Sequence, residues 1–156
     1  MAAGLGAPDT AHAASPACAH WQLRASLGRG DSGAGHTFWP LIFTNASAAA
    51  CTLRGYPGVS SVAGDDGHQV GRAAIRDTSR RVTTVTLRPG GAASTTINHV
   101  NPLNFPAGQC HVTSARGFRV YAPGQTLAFY LPRRHTVCRS GRGPDMVRAV
   151  VSGRAG

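Results

Sequence analysis

The chain has 156 residues and a formal charge of +10, carried by sixteen arginines and no lysine against six aspartates and no glutamate. That length suits one domain with a single core and is too short for two of ordinary size. The missing Lys and Glu, with only four glutamines, leave few surface helix formers, while Val, Thr, Phe, Tyr and Ile fall in short bursts, so an all-β chain is expected.

Residues 1–16 read as a disordered leader. Ala11-His12-Ala13 before Ala14-Ser15-Pro16 has the small-x-small pattern of a signal-peptidase site, without a basic or fully apolar segment before it, so the leader is expected to be the remainder of an export signal. From Cys18 to Gly28, Trp21, Leu23, Ala25 and Leu27 alternate with polar residues as in a half-buried strand. Gly28 to Gly35 breaks that run, and His36 to Asn45 follows as the principal core strand, with Pro40 at a bulge or an edge. Thr52-Leu53 leads to a turn at Tyr56-Pro57-Gly58. A short strand over Val59–Val62 then returns through the hairpin signal Gly64-Asp65-Asp66-Gly67 to His68–Val70.

Residues 71–81 lack periodicity and read as a loop with at most one helical turn. Strands are expected at Val82–Leu87 and Ala93–Ile97 around the turn Arg88-Pro89-Gly90-Gly91. A Pro-rich connection follows at 101–108, then strands at 118–121, 127–131 and 146–151, and a disordered tail at 153–156. Eight or nine short strands between Gly/Pro turns define an immunoglobulin-like antiparallel β-sandwich over residues 17–152.

Cys18, Cys51, Cys110 and Cys138 are even in number, dispersed and free of any Cys-x-x-Cys pair, which points to two structural disulfides and an oxidising compartment outside the cytosol. Three connectivities are open to four cysteines. The sequential one is expected, because Cys18 and Cys51 flank neighbouring strand ends while Cys110 and Cys138 enclose the last hairpin. No run of eighteen apolar residues is present to cross a membrane.

Arg80-Arg81 and Arg133-Arg134-His135 would form a polyanion-binding patch if the fold brought them to one face, an anionic wall polymer being a fitting target. Against that stands solvated loop charge, and the scattered, lysine-free arginines argue against a specific nucleic-acid partner. Cys18 with His20 and Cys110 with His111 offer zinc-type ligands, but not at the tight spacings of structural zinc sites. Gly30-Asp31-Ser32-Gly33 matches the string around a serine-protease nucleophile, yet too little chain precedes Ser32 to hold the partner residues. Like the overlapping Arg29-Gly30-Asp31 it reads as a polar turn. Trp39 and Tyr56 are candidate contact aromatics whose default roles are core and turn packing, and Asn45-Ala46-Ser47 fits a glycosylation sequon.

Pro40-Leu41-Ile42-Phe43-Thr44-Asn45, the block Cys51 to Val59 with its Gly55-Tyr56-Pro57-Gly58-Val59 turn, Leu87-Arg88-Pro89-Gly90, Cys110, Phe118–Gly124 and Cys138 together resemble the domain-of-unknown-function 4232 family. The resemblance spans roughly residues 17–152 and implies an exported or lipid-anchored protein of high-GC Gram-positive bacteria, with no catalytic residues to carry over. Cys18 lacks the apolar segment a lipobox requires. The expectation is therefore an exported, monomeric, non-catalytic binding module without cofactor or metal, whose partner is an extracytoplasmic protein or wall polymer. A secreted hydrolase is the rival, but glutamate is absent and the aspartates sit mainly in turns.

Overall fold

The structure, a computed structural model, describes residues 15–155, so the leader lies outside the described residues except for Ser15 and Pro16. Thirteen strands follow in chain order: β1 (Leu23–Leu27), β2 (Asp31–Gly33), β3 (His36–Asn45), β4 (Cys51–Arg54), β5 (Gly58–Ala63), β6 (His68–Gln69), β7 (Ile75–Arg76), β8 (Thr84–Leu87), β9 (Ala92–Val100), β10 (Val112–Tyr121), β11 (Ala128–Cys138), β12 (Met146–Val147) and β13 (Val151–Ser152). One α-helical turn among the described residues, α1 (Ala107–Cys110), sits in the Pro-rich connection. The first sheet runs β1-β3-β9-β12-β7, with β2 also on β3 and β13 also on β9; the second runs β11-β10-β5-β6; β4 and β8 form a separate pair.

The all-β reading holds, with more and shorter strands than the period-two pattern reveals. Pieces of two or three residues, such as β2, β6, β7, β12 and β13, are too short to leave a period. One of them adds a parallel ladder to the otherwise antiparallel named strand pairs of the described residues: β7, inside the segment read as a loop, pairs with β12 through Ile75–Met146 and Arg76–Val147. The segment Cys18–Gly28 also differs from a continuous strand. His20–Gln22 form a 3-10 turn, which leaves Trp21 76% exposed and buries Gln22, whose amide bonds Ala19 N and Ser47 Oγ.

The core lies between the first and second sheets. Alternation along β3 turns Trp39, Leu41 and Phe43 inward, where they meet Ile97 of β9 and Phe118 and Val120 of β10, all but Trp39 essentially without solvent exposure. Each such side chain stabilises the fold by about 1.5–3 kcal/mol. Pro40 is accommodated because its missing donor would point away from β9, opposite Gly28, where the edge of β3 passes from β1 to β2 and Gly28 N donates to Pro40 O at 2.8 Å.

Asn45, at the inward end of β3, is fully buried. Its Nδ2 donates to Ala49 O and Leu87 O, both at 2.9 Å, and its Oδ1 accepts from Ser47 N at 3.0 Å and Ser47 Oγ at 2.7 Å. All four hydrogen-bonding positions of the amide are used, so the sequon residue is an internal clamp. The Arg88–Gly91 turn forms as read, with Gly91 N bonding Arg88 O at 2.7 Å and Gly90 at φ +81°, a backbone angle that glycine adopts without strain. It carries the chain from the β4–β8 pair into the first sheet.

Both disulfides join the sulfurs in sequential order, Cys18–Cys51 and Cys110–Cys138. The first ties the segment before β1 to β4, where Cys18 N also bonds Thr52 O; the second ties α1 to the end of β11. With the paired positions separated by 33 and 28 residues, each contributes about 3–4 kcal/mol through the unfolded state. All four sulfurs being bonded, none is a thiolate able to ligate zinc. Among the described residues no helix is long and apolar enough to cross a membrane.

Candidate functional site

The outer face of the second sheet brings three arginines together, Arg116, Arg119 and Arg134. Along β11 the burial alternates, so Tyr130, Pro132, Arg134 and Thr136 face outward while Leu131 and Arg133 face the other way. Along β10 the ladder slips by one residue between Ala115 and Gly117, and that slip turns both Arg116 and Arg119 to the outside although they are three apart. Gly117 makes the slip sterically feasible: a Cβ there would lie 2.4 Å from Leu131 O and 2.8 Å from the Tyr130 ring, which lies across it.

The side chains are ordered by the sheet and its hairpin. Arg116 places its guanidinium 5.3 Å from the Tyr130 ring centre, donates from Nε to Tyr130 Oη at 3.2 Å, and reaches Gly64 O at 2.7 Å. Tyr130 Oη in turn donates to Arg116 O at 3.2 Å. Arg119 donates to Gln69 Oε1 at 3.2 Å, while its Nε is buried without a partner. Arg134 is exposed and makes no hydrogen bond or ion pair with the described residues.

Two grooves border this arrangement and share Arg116. One, of about 480 Å3, is lined by Ser114, Arg116, Arg134 and Thr136 and contains no carboxylate. The other, of about 290 Å3, adds Arg119, Phe129 and Tyr130 and is closed on one side by Asp65 and Asp66 of the β5–β6 hairpin. A hydrogen bond from His68 Nδ1 at 2.7 Å holds the Asp66 carboxyl below the ordinary carboxylate range. Guanidinium forks beside hydroxyls form a surface suited to phosphate, sulfate or carboxylate.

The four arginines singled out in the sequence are distributed differently. Arg134 belongs to the outer face. Arg133, its neighbour, turns to the opposite side of β11, where its guanidinium lies 5.7 Å from the Trp39 ring centre and reaches Gly28 O at 3.4 Å. Arg80 donates to Ala149 O at 2.9 Å, and burial, then Arg148, lower its pKa against the opposing pull of Asp77. Arg81 is exposed in the loop before β8. Neither borders the grooves beside Arg134. Arg116, Arg119 and Tyr130 are not legible in the sequence as site residues, since strict alternation would put Arg116 and Arg119 on opposite faces; Gly117 between them is the only sequence signal of the slip.

A second polar cluster lies between the sheets. Trp39 stacks on His99 at 5.2 Å, His135 stacks on Phe118 at 4.3 Å, and the two imidazoles meet edge to face at 5.1 Å. His99 Nδ1 pairs with Asp145 Oδ1 at 2.9 Å. His135 Nδ1 lies 2.7 Å from Arg133 O, which can only accept, so that nitrogen carries the hydrogen. Burial first of all lowers the His135 pKa, so Nε2 is the acceptor for the Ser61 hydroxyl at 2.8 Å. With Ser61 only 5% exposed, this serine–imidazole bond joins β5 to β11 inside the core.

Other sequence candidates take structural places. Ser32 lies in the β2–β3 hairpin with its Oγ on Thr37 Oγ1 at 2.9 Å. Tyr56 sits beneath the Arg76 guanidinium at 4.9 Å. In the Cys51–Val59 block, Gly55 turns the chain at φ +104° and its carbonyl accepts Val150 N at 2.9 Å.

Sheets, disulfides and the Gly55–Val59 turn block define a small disulfide-stapled β-sandwich module that presents an arginine-lined face. The chain belongs to the family described as Domain of unknown function (DUF4232), whose model matches residues 18–152. No curated protein matches the sequence.

Proposed function

We propose that this chain is an exported, non-catalytic binding module that works in an oxidising extracytoplasmic space and holds anionic polymers on the outer face of its second sheet. The observation that carries the reading is the convergence of Arg116, Arg119 and Arg134 with Tyr130 beside two grooves that share Arg116. The paired sulfurs support a location beyond the cytosol. The burial of Ser61, the hydroxyl paired with an imidazole, favours binding over catalysis.

Heparin chromatography of the oxidised full chain tests the reading. Retention should fall markedly in Arg116→Ala/Arg134→Ala and persist in Arg80→Ala/Arg81→Ala, because only the first pair borders the grooves. Equal reductions in the two double variants would reduce the face to diffuse charge.

A further inference from the structure

We infer that the polymer held on this face is a glycan bearing phosphate or sulfate groups, with an anionic group in the Arg116–Arg134 groove and sugar hydroxyls against Asp65 and Asp66 in the adjoining one. The inference rests on the anionic-polymer reading above and adds the class of ligand.

The contrast between the two grooves is the basis. The first offers guanidinium and hydroxyl groups and no carboxylate, the donor set of a tetrahedral oxyanion. The second places two carboxylates beside Arg116 and Arg119. Of these, Asp66 is engaged by His68, while Asp65 has no hydrogen-bond or ion-pair partner among the described residues. An ionised carboxylate only accepts hydrogen bonds, so whatever lies against it must bring donors. A polymer that brings a negative charge on every unit and no hydroxyl donors along its length, such as polyglutamate, meets repulsion there with nothing to offset it. A saccharide brings hydroxyl donors to Asp65 and lays its C–H face on the exposed apolar surface of Tyr130.

Single-stranded nucleic acid fits less well. Its affinity depends on bases stacking along successive exposed rings, and the Tyr130 ring is already covered on one side by Arg116.

The decisive variant is Asp65→Asn, because the two explanations predict opposite signs. Calorimetric titration of the oxidised full chain with a short heparin oligosaccharide should give an affinity about tenfold above that for polyglutamate or oligodeoxythymidylate of matched charge. Asp65→Asn should weaken the heparin complex about fivefold, since a neutral amide is a poorer acceptor for sugar hydroxyls. Strengthening by Asp65→Asn, the outcome of charge alone, or equal affinity for the three polymers would overturn the glycan assignment and leave the anion-binding face standing. Absence of binding to all three, or heparin affinity unchanged in Arg116→Ala/Arg134→Ala, would instead remove the underlying reading.

Discussion

His135 shows how one residue couples the core to pH. Its imidazole is enclosed by Phe118, Trp39 and His99, and the groups acting on it are His99, Asp145 and Arg133, with burial the largest influence. Burial places the folded-state pKa below the value of 6.5 for a free histidine, so on acidification the unfolded chain takes up this proton first. The contribution is therefore complete above about pH 6.5 and declines progressively below it. Urea unfolding midpoints should fall between about pH 7.5 and pH 5, and His135→Gln, which has no ring to protonate, should flatten that dependence. An identical pH dependence in the variant would show that His135 is not the titrating group. The Ser61 partner of this imidazole cannot be named from the chain alone, because it lies 74 positions away and only pairing of distant strands brings it close.

At the scale of elements, sequence and structure agree where apolar alternation is long. The β3 strand, its Pro40 and the hairpin at Gly64–Gly67 are all readable, since ten residues of period two and a glycine-bounded turn leave few alternatives. The disulfide order is readable for the same reason: the strands that bring the cysteines together can be placed first. Ladders of two residues, such as β7 with β12, leave no such trace, and the binding face depends on an irregularity that strict alternation conceals. Gly117 is the residue on which that irregularity turns. Gly117→Ala would push a methyl to 2.4 Å from Leu131 O, a backbone atom with little freedom to retreat, at a cost of about 2–3 kcal/mol. The same methyl would lift the Tyr130 ring and disturb Arg116. A urea midpoint equal to that of the unsubstituted chain would mean that β10 and β11 separate easily and that the slip is not sterically fixed.

For the molecule as a whole, the excess charge is unevenly employed. Arg133 is folded against Trp39 and Arg80 against the β12–β13 connection, so membership of the same basic chain does not make each arginine part of a ligand surface. The face on β10 and β11 differs in combining an exposed guanidinium at Arg134, two ordered ones at Arg116 and Arg119, and room beside them. Of the two disulfides, one lies near the start of the domain and the other joins the residue pair beside the open end of the β10–β11 ladder. Arginines that pair with a polyanion displace its bound counterions, so with fewer of them on the face affinity declines less steeply as salt is added. The most direct test is therefore the dependence of heparin affinity on salt for the oxidised chain and for Arg116→Ala/Arg134→Ala. The slope of log affinity against log salt should become shallower by about 1 for each arginine removed, while Arg80→Ala/Arg81→Ala keeps the original slope; equal slopes in all three proteins would contradict the assignment of the face.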